Sequence, residues 1–284
     1  MICWGFGVQL YDHNRMEDAE TLYRKSLEIL QKLAQQDSGF EKYAAASCNS
    51  LGATLAHTNR LAGAERLFRQ AIEIFTRLSE VDPSMEKKAV NASNNLANLL
   101  GDIGRLAEAV QTHRETLETC RHLAEQDPAV EKDVAISCHN LAATLQDIGE
   151  TGEAELLFRE ALEIRRRLAK QDPALEESVS QTCNYLGILI DDTGRIDEAD
   201  RWFGEALDIY RRLSEQDPSR YEPGLASVRY NLGNFTLKRK HDRKKAREYY
   251  EQAIAIWEKY PHYEKWLDNA RRGRSLCLQQ PPDL

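Results

Sequence analysis

Residues 93–109 read SNNLANLLGDIGRLAEA, and Asn91, Asn94, Asn95 and Asn98 fall in or beside a stretch with a helical pattern. At about 100° per residue, Ala92, Leu96, Leu99 and Ile103 gather on one face, so the stretch predicts a helix from about Lys88 to Asp102. Asparagine is a weak helix former because its side chain competes for backbone hydrogen bonds. Something other than helix stability therefore places these residues. Gly104 ends the helix, and a second one is expected over roughly Leu106 to Glu125.

Working outward, the same pattern returns every 45 residues. Aspartate stands at Asp37, Asp82, Asp127, Asp172 and Asp217, and proline follows the last four at Pro83, Pro128, Pro173 and Pro218. CNSLG (48–52), SNNLA (93–97), CHNLA (138–142) and CNYLG (183–187) superimpose. So do AERLFRQAIEI (64–74), AELLFREALEI (154–164) and, more loosely, ADRWFGEALDI (199–209). CWGFG (3–7) with AETLYRKSLEI (19–29) supplies a first copy; YNLGN (230–234) with EYYEQAIAI (248–256) supplies a sixth. A fixed period of this length means stacked units, each burying its apolar face on its neighbours. Asn14, Asn59, Gly104, Gly149 and Gly194 end the first helix of successive units, the residue types that a left-handed helix cap selects. In the sixth copy, Glu222-Pro223 is expected to mark a helix start.

Composition narrows the functions available. The 284 residues carry a formal net charge of -8, against general affinity for nucleic acid. No apolar run approaches the roughly 20 residues of a membrane span. The opening MICWGFGVQLYDHNR lacks the basic-then-apolar order of a signal peptide, and six cysteines in a chain this long point to a reducing, cytoplasmic setting rather than a disulfide scaffold.

The repeated residues resemble the tetratricopeptide repeat family, in the long-repeat variety of kinesin light chains. The first helix carries Leu51-Gly52, Leu96-Ala97, Leu141-Ala142, Leu186-Gly187 and Leu232-Gly233. The second carries Ala64, Phe68, Ala71; Ala154, Phe158, Ala161; and Ala199, Phe203, Ala206, with Ala19, Tyr23, Ser26 and Ala246, Tyr250, Ala253 at the ends. Two features depart from the pattern. Cysteine or serine opens the first helix where the family has a large residue, and the third unit holds His113 and Thr116. The resemblance implies an all-α solenoid, a right-handed superhelix of about six helix pairs. The array is expected over 1–260, in units 1–37, 38–82, 83–127, 128–172, 173–217 and 218–260. A capping helix over 261–278 and a disordered tail over 279–284 complete the chain.

The resemblance further implies that the first helices line a concave groove that binds extended peptides or partner helices. The groove residues on this reading are Asn49, Asn91, Asn94, Asn98 and Asp102, then His139, Gln146 and Asp147. Gln181, Asn184, Asp191 and Asp192 continue the stripe, Tyr230, Asn234 and Lys238 extend it, and Trp4, Val8, Tyr11 and Asp12 begin it. A carboxamide both donates and accepts, so a row of them suits a passing backbone; the aspartates favour a neutral to basic ligand. For Asn95, Asn140 and Asn231 the alternative is hydrogen bonding between neighbouring helices. The family's lysine-and-asparagine clamp for C-terminal carboxylates is missing, its lysine positions holding Asn, His or Tyr.

Other chemistry has little to stand on. Cys3, Cys48, Cys138 and Cys183 lie one or more repeats apart, farther than a disulfide allows, and read as small packing residues. The seven histidines form no ligand pair at helical spacing, and no phosphate loop or nucleophile elbow occurs, so neither enzyme nor cofactor is expected. His113 replaces an aromatic and reads as a satisfied or half-buried core histidine, marking the third unit as a weak joint. The Glu and Arg of the second helices read as a solvated face with i,i+4 pairs. KRKHDRKKAR (238–247) belongs to a region (238–274) with 12 basic and 6 acidic residues. It reads as a lengthened, solvated turn; docking of an acidic surface or nucleic acid is its rival. Ile2, Trp4 and Phe6 have little to cover them, which suggests a longer array or self-association at this end. The function expected is a non-catalytic scaffold for a polypeptide, the alternative a regulatory array cut from an NTPase or protease fusion.

Overall fold

The computed structural model describes residues 16–260 and 263–279, and every regular element among them is helical. Contacts divide the chain into two units, Met1–Ile148 and Gly149–Leu284. The first holds α1 (Met16–Ala34), α2 (Glu41–His57), α3 (Leu61–Ser79), α4 (Glu86–Asp102), α5 (Leu106–Gln126) and α6 (Glu131–Asp147). The second holds α7 (Thr151–Ala169), α8 (Glu176–Asp192), α9 (Ile196–Gln216), α10 (Pro218–Phe235), α11 (Arg243–Trp257) and α12 (Glu264–Leu278). Within each unit every helix packs on the next in sequence, the helical-repeat architecture of an α-solenoid. The expectations for Cys3, Trp4, Val8, Tyr11, Asp12 and Asn14, and for the last five residues, lie outside the described residues.

Aspartate explains the turn between repeats. Asp37, Asp82, Asp127 and Asp172 each accept the backbone N–H two residues on, at 2.8, 3.1, 2.9 and 3.0 Å. That bond nucleates a single 3-10 turn, such as Pro83–Met85, and proline fits its start because no N–H is needed there. The turn inside each repeat relies instead on a left-handed residue: Asn59, Gly104, Gly149 and Gly194 have φ of 59°, 80°, 83° and 81°.

The sixth copy corrects one expectation. Its helix starts at Pro218, not Pro223, which lies inside it. The extra residue in this copy turns the 3-10 turn into a full α turn. Asp217 caps the N–H of Arg220, three residues on, and its carbonyl accepts from Tyr221, four on. Pro223 stays close enough to the helix start to cost little.

Packing within repeats is set by small residues facing rings. A Cβ on Gly52 would lie 2.8 Å from Phe68, and the same holds for Gly187 with Phe203 and Gly233 with Tyr250. The absent side chain is the slot for the ring, and each such buried ring stabilises by about 1.5–3 kcal/mol. Cys48, Cys138 and Cys183 are buried without disulfides, and burial pushes the Cys48 and Cys183 thiols up to about 12.

The third repeat departs from this plan. His113 takes the ring position, fully buried, yet neither ring nitrogen has a hydrogen-bond partner. It is therefore neither satisfied nor half-buried, contrary to expectation. Desolvation lowers its pKa to about 4. Cys120 stands where the second and fifth repeats place Phe75 and Tyr210, and contacts Ser137 Oγ at 3.3 Å.

The charged face of the second helices is also more organised than i,i+4 pairing. Arg60, Arg105 and Arg195, each just past a left-handed turn, reach back about one repeat to Glu20, Glu65 and Glu155. Lys240 does the same to Asp200 at 2.7 Å. Hydrogen bonding from Arg60 lowers the pKa of Glu20, and that from Arg195 lowers that of Glu155.

Candidate functional site

The stripe predicted for the groove lies on α2, α4 and α6 in the first unit and on α8 and α10 in the second. In the first unit Asn91, Asn98, Asp102 and Asp147 are exposed, while Asn49, His139 and Gln146 are half-buried. Asn94 is buried, 8% exposed. In the second, Gln181, Asp192 and Asn234 are exposed, Tyr230 is half-buried, and Asn184 and Asp191 are buried. Desolvation raises the pKa of Asp147 above the ordinary carboxylate value.

Part of the stripe is engaged within the protein. Asn95 Nδ2 donates to Asn49 Oδ1 at 3.0 Å, and Asn231 Nδ2 donates to Asn184 Oδ1 at 3.1 Å. Each is a ladder step, one in each unit, running from a helix to its counterpart one repeat earlier. The equivalent step from Asn140 to Asn94 is not made, and Asn94 Oδ1 is a buried acceptor without a partner. Tyr250 donates its hydroxyl to Asn234 Oδ1 at 2.7 Å. The Tyr230 ring lies 6.0 Å from that of Tyr250 and 5.9 Å from that of Trp257.

Asp191 belongs to a different arrangement. Arg239 donates from Nε to its Oδ1 at 2.6 Å and from Nη2 to its backbone carbonyl at 2.7 Å. Lys238 Nζ lies 3.7 Å from Asp191 Oδ2 and 3.9 Å from Asp192 Oδ1. The basic run is thus not a solvated loop. Thr236–Lys240 forms a π-helical turn, His241 adopts φ 53°, and Asp242 caps α11, which contains the remaining residues of the run. Lys238, Arg239 and Lys240 neutralise Asp191, Asp192 and Asp200. Sequence reading could not reach this pairing, because α-helical spacing does not apply across a π turn. Among the described residues, no group of three or more His, Cys, Asp and Glu could hold a metal. No helix among the described residues is long and apolar enough to cross a membrane.

The tetratricopeptide repeat family matches residues 44–83, 90–128, 134–174 and 179–219, more than half of the chain. This chain is a tetratricopeptide repeat protein. Solved structures share its fold at low identity. BtubC (BKLC) from P. vanneervenii aligns with a TM-score of 0.63 and 22% identity, over 95% of this chain and 94% of that one. The Rap conjugation gene regulator of plasmid pLS20, in complex with the Phr* peptide, aligns at 0.61 and 17%, over 96% and 72%. A putative kinesin light chain of Podosopora anserina aligns at 0.56 and 19%, over 75% and 94%. No curated protein matches this tetratricopeptide repeat chain in sequence.

Proposed function

We propose that this tetratricopeptide repeat protein is a non-catalytic scaffold in the cytoplasm, binding an extended or helical polypeptide segment along the asparagine-bearing faces of its first helices. The observation that carries the reading is Asn94 Oδ1, a buried acceptor left open where the ladder would receive Asn140. Turned toward the exposed Asn91, Asn98 and Asp102 of the same helix, the Asn94 carboxamide would accept a backbone N–H of a bound peptide. Asp102, Asp147 and Asp192 favour a neutral to basic segment. The Phr* complex of the Rap regulator supports the reading by analogy of fold.

The test is selection from a displayed random-peptide library on the full chain, followed by calorimetry of the selected peptides. Asn94→Ala with Asn98→Ala is expected to weaken them about tenfold or more, the worth of one to two hydrogen bonds. Peptides that bind both proteins equally would remove the stripe from the function. A library that yields no binder would remove the peptide.

A further inference from the structure

The helix pair of the third repeat, together with the preceding α3, lines a cleft. It has a volume of about 260 Å³ and lies between α3, α4 and α5. Thr112, Thr116 and Thr119 line it from α5, at positions held by Leu67, Ala71 and Ile74 in the second repeat and by Trp202, Ala206 and Ile209 in the fifth. Glu86, Glu115, Ser93, Thr76 and Ser79 supply the rest of its polar lining. Neither Asn94 nor Asn98 lines it, so this reading stands apart from the peptide stripe.

Three features define what the cleft would hold. The hydroxyls of Thr112, Thr116 and Thr119 donate to the carbonyls of Glu108, Thr112 and Glu115 of their own helix, at 2.9, 2.7 and 3.0 Å. They therefore offer methyl groups and acceptor lone pairs, but no donors. Glu115 accepts from Gln111 at one oxygen, and Glu86 is the half-buried carboxylate of the wall. The third feature is internal precedent. The carboxylate equivalent to Glu86 binds a cation from the second helix in other repeats: Arg77 with Glu41 at 2.6 Å, Arg212 with Glu176 at 2.7 Å, and Lys259 with Glu222 at 2.9 Å. In the third repeat that cation is replaced by His122, which turns to Gln126 at 3.1 Å and lies 3.7 Å from Glu125.

We infer that the cleft receives an arginine side chain of a partner polypeptide, its guanidinium on Glu86 and its aliphatic stem along the threonine methyls. A donor-only head on an apolar stem matches a wall of acceptors and methyls, and the fork restores the pair that His122 removed.

The test uses the full chain with ¹³C-labelled threonine methyls. It is titrated with acetyl-Ala-Arg-Ala-amide and with the same tripeptide carrying citrulline, which is uncharged. The arginine peptide is expected to shift the Thr112, Thr116 and Thr119 methyl signals saturably in the millimolar range; the citrulline peptide is not. Glu86→Gln should weaken binding at least tenfold. His122→Arg should abolish it, because an intramolecular guanidinium then occupies Glu86, and this variant keeps the fold of its neighbours. Asn94→Ala should leave it unchanged, which separates failure here from failure of the stripe. Absent shifts, equal shifts from citrulline, or unaltered binding in His122→Arg would each overturn the inference.

Discussion

His113 concentrates the cost of the third repeat in one side chain. Buried neutral, it resists protonation down to about pH 4, whereas the unfolded chain takes up the proton near 6.5. The folded pKa lies below the unfolded one. The contribution of this site is therefore intact above pH 6.5 and falls away as pH drops toward 4, by roughly 3 kcal/mol in all. Phenylalanine has a precedent at this site, because the fourth repeat buries Phe158 with Ala142 at the position of Ala97. His113→Phe should remove this loss, which urea unfolding at pH 7.5 and 4.5 would detect as a smaller shift in midpoint than in the parent. Two glycines of the fifth repeat give opposite expectations. Gly187→Ala drives a methyl against Phe203, where overpacking of about 1–3 kcal/mol exceeds the gain of about 1 kcal/mol in helix propensity. Gly204→Ala meets nothing within 4 Å and should stabilise by up to about 1 kcal/mol. Thermal unfolding of the two variants would show opposite signs.

At the level of elements, the π turn after α10 matters because it aims Arg239 at Asp191. The Asp191 side chain is only 12% exposed, and Arg239 is its close ion-pair partner at 2.6 Å. Arg239→Ala should cost about 2 kcal/mol, somewhat less than breaking a fully buried pair. Asp191→Asn in the same background should recover much of it, since the orphaned charge is what hurts. A double-mutant cycle in urea would decide this: additive losses would mean that the contact contributes nothing specific. The helix limits of the third repeat were read to within two residues, because glycine and Asp-Pro each impose a local backbone conformation. The start of α10 was misread, because one inserted residue changes the turn type without altering which residues look like caps. Of the stripe, the exposed Asn91, Asn98 and Asp102 could be assigned from helical angle. The commitments of Asn49 and Asn184 to Asn95 and Asn231 required knowing how far apart successive helices sit.

For the molecule as a whole, a repeat array has stability distributed along its length, so its least satisfied repeat opens first. α5 carries His113, Cys120 and three threonines in place of rings and aliphatic side chains. Hydrogen exchange of the full chain should find its amides less protected than those of α3 within the same unit. Equal protection would mean that the neighbours of α5 compensate for its poor core. Among the turns inside repeats, Glu150 interrupts the series Arg60, Arg105, Arg195 and Lys240, and the two contact units divide beside it. The sequence by itself determined the helical class and the 45-residue period, because these rest on local backbone preference and on residue types repeated at fixed spacing. Only the tertiary structure decided which polar groups were already spoken for. Asn94 remains open while Asn49 and Asn184 are bonded, Asp191 is held by Arg239, and Glu86 faces a cleft without its arginine. Hydrogen bonds and ion pairs depend on a few tenths of an ångström between helices, and periodicity in a sequence does not encode distances that fine.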